Sequence, residues 1–117
     1  MPGFPPSARL LRPEDYRRVF DTPAFKVSSA AFLLLAQHSD TSNSRVGIIV
    51  AKKHVRRAIR RNRIKRLIRE QFRLNRPSPN LDLVVLARSA ADTMDNAQIT
   101  SELGRLWSDL QRKAIAK

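Results

Sequence analysis

Residues 52–73 read KKHVRRAIRRNRIKRLIREQFR, and this stretch decides how the rest of the chain is interpreted. Eleven of these residues are Lys or Arg, and Glu70 is the single acid among them. The stretch contains neither Gly nor Pro, the residues that most often interrupt a helix, so it predicts a helix over residues 54–74. The positive charge of the chain is therefore concentrated on one predicted element.

The predicted helix has an apolar face and a basic face, because successive side chains rotate by about 100° around its axis. The apolar side chains that share one face, and are expected to pack on the core, are Ile64, Leu67, Ile68 and Phe72. The opposite face carries polar and basic side chains at helical spacing, namely Asn62, Arg66, Arg69 and Arg73. Such a row of guanidinium groups, extending about 30 Å, is suited to binding several phosphates through paired N–H donors.

A charge run is most often a solvated surface, but such a surface usually mixes signs and gains ion pairs between residues four apart. Here like charges occupy that spacing, which costs stability until an anion neutralises them. A helix lying on a membrane would need its apolar face free for lipid, whereas this apolar face is needed to cover a sheet. The pattern therefore favours nucleic acid as the partner, ahead of an anionic membrane surface.

The composition of the whole chain agrees with a nucleic-acid partner. The 117 residues carry a formal net charge of +13, from 23 Lys and Arg against 10 Asp and Glu. An excess of this size repels itself in a compact fold unless a polyanion lies against it. The length fits one domain, which we predict over residues 9–117. The proline-rich residues 1–8 are predicted to form a loose tail.

The chain contains no Cys, which excludes disulfides, thiolate metal sites and a cysteine nucleophile. Residues 1–13 contain four Pro and lack the apolar segment of a secretory signal. The longest apolar run, residues 30–36, is far shorter than the roughly 20 residues that a membrane helix needs. We therefore expect a cytoplasmic protein that does not bind a membrane.

Apolar runs of strand length predict strands at residues 30–36, 46–51 and 81–87, and a short further strand is predicted near residues 26–29. Pro13, followed by two acids, predicts the start of a short helix that ends by Pro23. Apolar residues recurring at helical spacing predict a closing helix over residues 95–113, namely Ile99, Leu103, Leu106 and Leu110. The predicted order of helix, strands, helix, strand and helix indicates an α/β (α+β) two-layer sandwich.

Residues 61–70, RNRIKRLIRE, resemble the basic signature of the bacterial ribonuclease P protein family, known as the RNR motif. Further similarities occur in order along the chain: RLL at 9–11, DY at 15–16, VF at 19–20, RVGIIVAKK at 45–53, Ala58, DLVVLAR at 82–88 and LW at 106–107. The resemblance spans about residues 9–112. Basic helices are common, but this ordered set is far more specific than any one of its members.

The resemblance implies a fold and a function. The fold would be a four-stranded mixed sheet with helices in the order αβββαβα, and the βαβ unit with the basic helix would have a left-handed crossover. The protein would be the subunit of ribonuclease P that binds the catalytic RNA and the 5′ leader of precursor tRNA, assisting endonucleolytic removal of the leader. The RNA would carry the chemistry and bind most of the Mg²⁺, and no small-molecule substrate is implied.

The residues assigned to RNA binding are the basic and amide side chains within and just before the predicted helix: Lys52, Lys53, Arg56, Arg61, Asn62, Arg63, Lys65, Arg66, Arg69 and Arg73. The leader would lie in a cleft between the first helix and the sheet, beside Tyr16, Phe20 and Asn62. Aromatic side chains beside positive charge hold single-stranded RNA by stacking on its bases. Phe20 is equally compatible with a core position, whereas the hydroxyl of Tyr16, which would need a partner if buried, favours the binding role. In the second strand, where the family often has an aromatic residue, this chain has Leu35.

We predict no catalytic residue and no metal site on the protein itself. His38 and His54 lack the partners of a catalytic triad or a metal pair, and the acids are scattered along the sequence. Two other functions remain open: a structural ribosomal RNA-binding protein, which would have similar size and charge, and a self-sufficient nuclease, which would need a cluster of catalytic side chains.

Overall fold

The computed structural model describes residues 8–116, so most of the predicted tail lies outside the described residues. The helices and strands, in chain order, are α1 (Pro13–Asp21), β1 (Phe25–Ser28), β2 (Phe32–His38), β3 (Arg45–Val50), α2 (Ala58–Leu74), β4 (Leu81–Ala87) and α3 (Asn96–Ala116). A short 3₁₀ helix, Ser89–Thr93, precedes α3. This order confirms the predicted αβββαβα arrangement. None of the helices within residues 8–116 is long and apolar enough to cross a bilayer.

The four strands form one mixed sheet in the order β1-β2-β4-β3. The pairs β1–β2 and β2–β4 are antiparallel, whereas β3 and β4 are parallel. Parallel neighbours need a crossover connection, and α2 provides it between β3 and β4. The mixed sheet is therefore confirmed, while the left-handed crossover stays a prediction. This order makes β1 and β3 the two edge strands of the sheet.

The two faces of the sheet are covered unequally. Alternate residues such as Leu34 and Leu83 belong to the larger buried cluster, which α2 and α3 complete. On the other face, a smaller cluster joins Leu35 and Val84 to Val19 of α1. Because α1 has only nine residues, it leaves part of this second face half-covered.

The apolar face of α2 is confirmed, since Ile64, Ile68 and Phe72 are fully buried. Leu67 packs at the margin of the same core and is half-buried. The helix begins at Ala58, so the predicted start near residue 54 is wrong. Val55 is fully buried in a turn, where its N–H donates to the carbonyl of Ala51.

The predicted face of α3 is confirmed by the burial of Ile99, Leu103, Leu106 and Leu110. The helix is preceded by a reciprocal cap, in which the Gln98 N–H donates to Asp95 Oδ1 at 2.8 Å and the Asp95 N–H donates to Gln98 Oε1 at 2.9 Å. The buried Trp107 packs edge-on against Phe72 of α2, so the two helices are joined near the end of α2.

The second strand begins two residues later than the predicted run of residues 30–36. Ser29 turns the chain first, because its hydroxyl oxygen accepts hydrogen bonds from the N–H groups of Ala31 and Phe32, each at 3.3 Å. The strand then extends to His38, beyond the apolar run. The prediction was wrong here because backbone pairing with β4 continues through the polar residues Gln37 and His38.

Candidate nucleic-acid interface

The outer face of α2 presents the basic row to solvent. All of the side chains predicted to form this row are exposed: Asn62, Arg66, Arg69 and Arg73. Glu70 lies beside the row and forms an ion pair with Arg73 at 2.5 Å. The row is therefore accessible along its length, with one carboxylate near its C-terminal end.

The N-terminus of α2 adds to this positive surface. The preceding residue, Arg57, makes no capping hydrogen bond through its side chain, and the first turn contains no acid. Lys52, Lys53 and Arg56 lie in the exposed connection just before the helix. The free N–H groups of a helix N-terminus carry partial positive charge, so these three side chains precede an end that already favours an anion.

Two of the arginines predicted to bind RNA also hold parts of the protein together. Arg61 donates to the carbonyls of Val55 and Arg56, at 3.1 and 2.7 Å. Arg63 donates to Asn96 Oδ1 at 2.8 Å and to the carbonyl of Met94 at 3.0 Å. A guanidinium group has five N–H donors, so each retains donors for phosphate. Substitution of either residue is therefore expected to affect stability as well as RNA binding.

A small cavity of about 120 Å³ lies where α1 and α2 meet the edge of β3. Its lining combines one aromatic residue, three basic residues and three aliphatic residues, namely Tyr16, Arg9, Lys65, Arg69, Leu10, Val46 and Ile48. The cavity thus brings Tyr16, predicted to bind the leader, next to Lys65 and Arg69 of the basic helix. An aromatic ring flanked by cations is a suitable environment for one unpaired nucleotide.

Tyr16 is half-buried at this cavity and packs against the smaller cluster of the sheet. Burial raises the pKa of the Tyr16 hydroxyl above its ordinary value, and a hydrogen bond with the backbone of Ile48 partly opposes that increase. The ring is therefore held by the edge of the sheet while it still lines the cavity.

The remaining predicted leader residues, Phe20 and Asn62, do not line this cavity. Phe20 lies one turn after Tyr16 on α1 and is 40% exposed, so it is available for stacking. Asn62 is exposed on α2, one turn before Arg66. Leu35 is only 6% exposed and packs with Val19, so it supports α1 from below.

An ionic network beneath α1 was missed by the sequence analysis. Asp82 of β4 is fully buried, and Arg45 of β3 donates to its two carboxylate oxygens at 2.9 and 2.7 Å. Arg18 of α1 also donates to this carboxylate. The hydrogen bond to Asp82 raises the pKa of the Arg45 guanidinium above its ordinary value. The sequence signal that could have revealed this network is the single acid, Asp82, within the apolar run of residues 81–87. A buried charge requires a partner of opposite charge.

This network fixes the position of α1 on the sheet. The Arg45 guanidinium also lies 3.7 Å from a carboxylate oxygen of Asp15, the residue that precedes Tyr16. Two contacts, at Arg18 and Asp15, therefore flank the aromatic residue on its helix. The charged groups under α1 hold the tyrosine at the cavity.

Both histidines have structural partners. His38 packs edge-on against Phe25, with ring centroids 5.3 Å apart. His54 Nδ1 lies 2.8 Å from Ser89 Oγ, which joins the turn before α2 to the 3₁₀ helix. Within the part of the chain that the structure describes, no group of three or more His, Asp or Glu side chains is placed to hold a metal ion.

Comparison with known proteins identifies similar sequences and structures. A family model described as Ribonuclease P matches residues 4–111. The chain is 46% identical over 110 residues to the ribonuclease P protein component of Marinobacter nauticus, covering 94% of this chain and 83% of that protein. It is 47% identical over 109 residues to the component of Thioalkalivibrio sulfidiphilus, covering 92% and 90% of the two chains.

The fold is also similar to solved structures. The RNase P protein of Staphylococcus aureus superposes with a TM-score of 0.79 at 30% identity, covering 86% of this chain and 93% of that one. The protein of Thermotoga maritima superposes with a TM-score of 0.74 at 29% identity, covering 89% and 96%. Because the family model spans nearly the whole sequence and the folds superpose, this chain belongs to the ribonuclease P protein family.

Proposed function

We propose that this chain is the protein subunit of ribonuclease P, in which it binds the catalytic RNA and the 5′ leader of precursor tRNA and assists endonucleolytic removal of the leader. One observation carries the proposal: the basic row of α2 reaches, at Arg69, the cavity that Tyr16 lines. A single surface thus combines a phosphate-binding helix with an aromatic site for an unpaired nucleotide. Both are required where one protein contacts a folded RNA and a single-stranded extension.

The RNA-binding role is assigned to the α2 surface and the connection before it. Lys52, Lys53 and Arg56 would contact phosphates near the start of the helix, and the exposed row would continue these contacts along the catalytic RNA. Arg61, Arg63 and Lys65 would act from the flanks of the helix. Sequencing the RNA that the native protein retains separates this role from that of a ribosomal protein, which would retain ribosomal RNA instead.

The RNA partner is proposed to carry the chemistry and to hold the Mg²⁺ that hydrolysis requires. Protein-bound metal catalysis needs carboxylate or imidazole ligands gathered at one place, and residues 8–116 provide no such group. The protein would instead offset repulsion between two polyanions through its net charge of +13. Its place of action would be the cytoplasm, together with both RNAs.

Protein freed of RNA is expected not to cleave precursor tRNA. Addition of the cognate RNA should produce Mg²⁺-dependent cleavage at the junction between leader and tRNA. The protein should improve this cleavage most at low salt and low Mg²⁺, because electrostatic repulsion between the RNAs is then least screened. Cleavage is measured with highly purified protein, with and without added RNA. Robust turnover by protein that has been pretreated with nuclease would contradict the proposal and favour a self-sufficient nuclease.

The leader cleft yields a second prediction. Tyr16→Ala and Phe20→Ala should each weaken binding of precursor tRNA by about 1–3 kcal/mol, the usual contribution of one base stacked on an aromatic ring. Binding of mature tRNA, which lacks the leader, should not change. The two affinities are compared in the reconstituted complex. Ile115→Ala is the matched control, because Ile115 is an exposed apolar residue at the end of α3. Equal losses for both RNAs would show that the two aromatic residues do not contact the leader.

A further inference from the structure

Gly47 lies in the middle of β3, directly beneath the ring of Tyr16. A Cβ atom built at this glycine would lie 2.5 Å from Tyr16 Cε2, 2.7 Å from Cζ and 2.8 Å from the hydroxyl oxygen. Carbon atoms in proteins make their best contacts at about 3.5–4.0 Å. The aromatic ring therefore occupies the space that any side chain at position 47 would need.

The backbone does not account for the glycine. Gly47 pairs with Val84 in a regular parallel ladder, and the described residues contain no glycine with positive φ. A glycine inside a strand also weakens it, because it has more conformational freedom to lose and no side chain to pack. Position 47 must lack a side chain because the Tyr16 ring already fills the space that a side chain would occupy.

The hydroxyl end of the ring is held by the same strand. The Tyr16 hydroxyl lies at the backbone of Ile48, on the outer edge of β3, and this backbone partly opposes the rise of its pKa. Two residues earlier, the Val46 carbonyl accepts a hydrogen bond from the Leu10 N–H at 3.1 Å. The ring thus contacts Gly47 with its side and Ile48 with its oxygen, while Lys65 and Arg69 line the cavity beside it.

We propose that Gly47 is a positioning residue for leader binding: by lacking a side chain, it lets Tyr16 lie against the sheet in the orientation that a leader nucleotide meets. This inference rests on the proposed function, which assigns leader binding to Tyr16. The inference adds Gly47 to the residues that serve leader binding. Gly47 acts only through the position of the Tyr16 ring that lies on it.

The position of α1 explains why the ring cannot simply move aside together with its helix. After Tyr16, Val19 is fully buried and Arg18 contacts the buried Asp82. Before Tyr16, Asp15 lies 3.7 Å from the Arg45 guanidinium, so the helix is fixed to the sheet on both sides of the ring. A methyl group at position 47 must therefore be accommodated by rotation of the Tyr16 side chain. Rotation carries the hydroxyl away from Ile48 and removes the ring from the cavity wall.

The test compares Gly47→Ala with Gly104→Ala in the reconstituted complex. A Cβ atom at Gly104, on α3, has no atom within 4 Å, so this variant is the matched control. Gly47→Ala should lose about as much affinity for precursor tRNA as Tyr16→Ala, about 5- to 150-fold, and none for mature tRNA. Gly104→Ala should bind both RNAs like the unmodified protein. Equal loss of both RNAs by Gly47→Ala would overturn the proposal.

A spectroscopic measurement follows the ring without RNA. Tyr16 is the only tyrosine in the sequence, so ultraviolet absorbance during an alkaline titration reports its ionisation alone. In the unmodified protein, ionisation should require a pH above the ordinary range, since burial raises the pKa of the hydroxyl. In Gly47→Ala the displaced ring should ionise at its ordinary pKa. Fluorescence of Trp107, the only tryptophan, verifies in the same titration that the protein stays folded.

A double substitution separates the steric contact from a general loss of structure. In the Tyr16→Ala background, Gly47→Ala should cause no further loss of affinity or stability, because the clashing ring is gone. If Gly47→Ala alone unfolds the chain, the double variant should fold again; failure of both to fold would overturn the steric explanation.

Different results would contradict the positioning role of Gly47 and the leader-binding function of Tyr16. A leader effect for Tyr16→Ala without one for Gly47→Ala would overturn the positioning role alone. A Tyr16→Ala variant that binds both RNAs normally would overturn the leader-binding function on which it rests.

Discussion

Asp82→Ala is expected to lower the free energy of unfolding by about 3–5 kcal/mol, the usual cost of removing one partner from a buried ion pair. The substitution leaves Arg45, whose side chain is only 14% exposed, without its bidentate partner, and it releases Arg18 of α1. A domain of this size is stable by only about 5–15 kcal/mol, so about a fifth of its stability or more should be lost. Denaturant unfolding followed by Trp107 fluorescence measures the change.

Glu70→Ala is the matched control for this prediction. Glu70 also forms an ion pair with an arginine, but both side chains are about half-exposed on the surface of α2. Exposed pairs contribute roughly 0–1 kcal/mol, so this variant should unfold almost like the unmodified protein. Similar losses for the two variants would mean that burial of Asp82 is not what makes its network important.

Arg66→Ala combined with Arg69→Ala should produce a large loss of RNA affinity. A hydrogen bond to a charged group contributes about 1.5 kcal/mol or more, so removing both guanidinium groups should weaken binding about 100-fold at low salt. If each arginine contacts one phosphate of a single-stranded segment, the slope of log affinity against log salt should become less steep by about 1.4. Both side chains are exposed, so thermal stability should hardly change.

The matched control for the basic row is a double substitution on α3. Arg105 and Arg112 are exposed arginines that pair with acids of their own helix. Arg105→Ala combined with Arg112→Ala removes the same formal charge as the α2 double variant. It should leave the salt slope nearly unchanged, because these residues lie outside the proposed interface. An equal change of slope would indicate that RNA responds to net charge alone, and a large loss of stability for the α2 variant would mean that its row is structural.

The helices and strands were predictable because their apolar periodicities are strong. Leu81–Ala87 was predicted to the residue, since breakers precede it and every second side chain enters the larger core. The start of α2 was predicted too early, because charge and the absence of Gly and Pro do not reveal that Val55 is drawn into the core from a turn. Positive side chains at a helix N-terminus also oppose its dipole, which disfavours extension back through Arg56 and Lys53.

The cavity could be predicted only in part. Its basic side was evident from the helical phase of α2, and Tyr16 was selected as an aromatic residue on α1. The contact with Gly47 and the network around Asp82 depend on which strands are neighbours, because β4 lies between β2 and β3 although it comes last in sequence. Periodicity shows which face a residue occupies but does not show which residue lies opposite, so the sequence could not reveal either contact.

The two edge strands of the sheet influence whether copies of this protein aggregate. Unpaired backbone groups at a sheet edge are a template on which a second molecule can add a strand, and this is a common route to aggregation. On β3, the Val46 carbonyl already accepts a hydrogen bond from the Leu10 N–H, and the Tyr16 hydroxyl lies at the backbone of Ile48. On β1, a strand of only four residues, the Lys113 ammonium donates to the Lys26 carbonyl at 2.9 Å. With both edges partly occupied by its own chain, addition of a strand from a second copy is disfavoured, so the sheet is a poor template for growth.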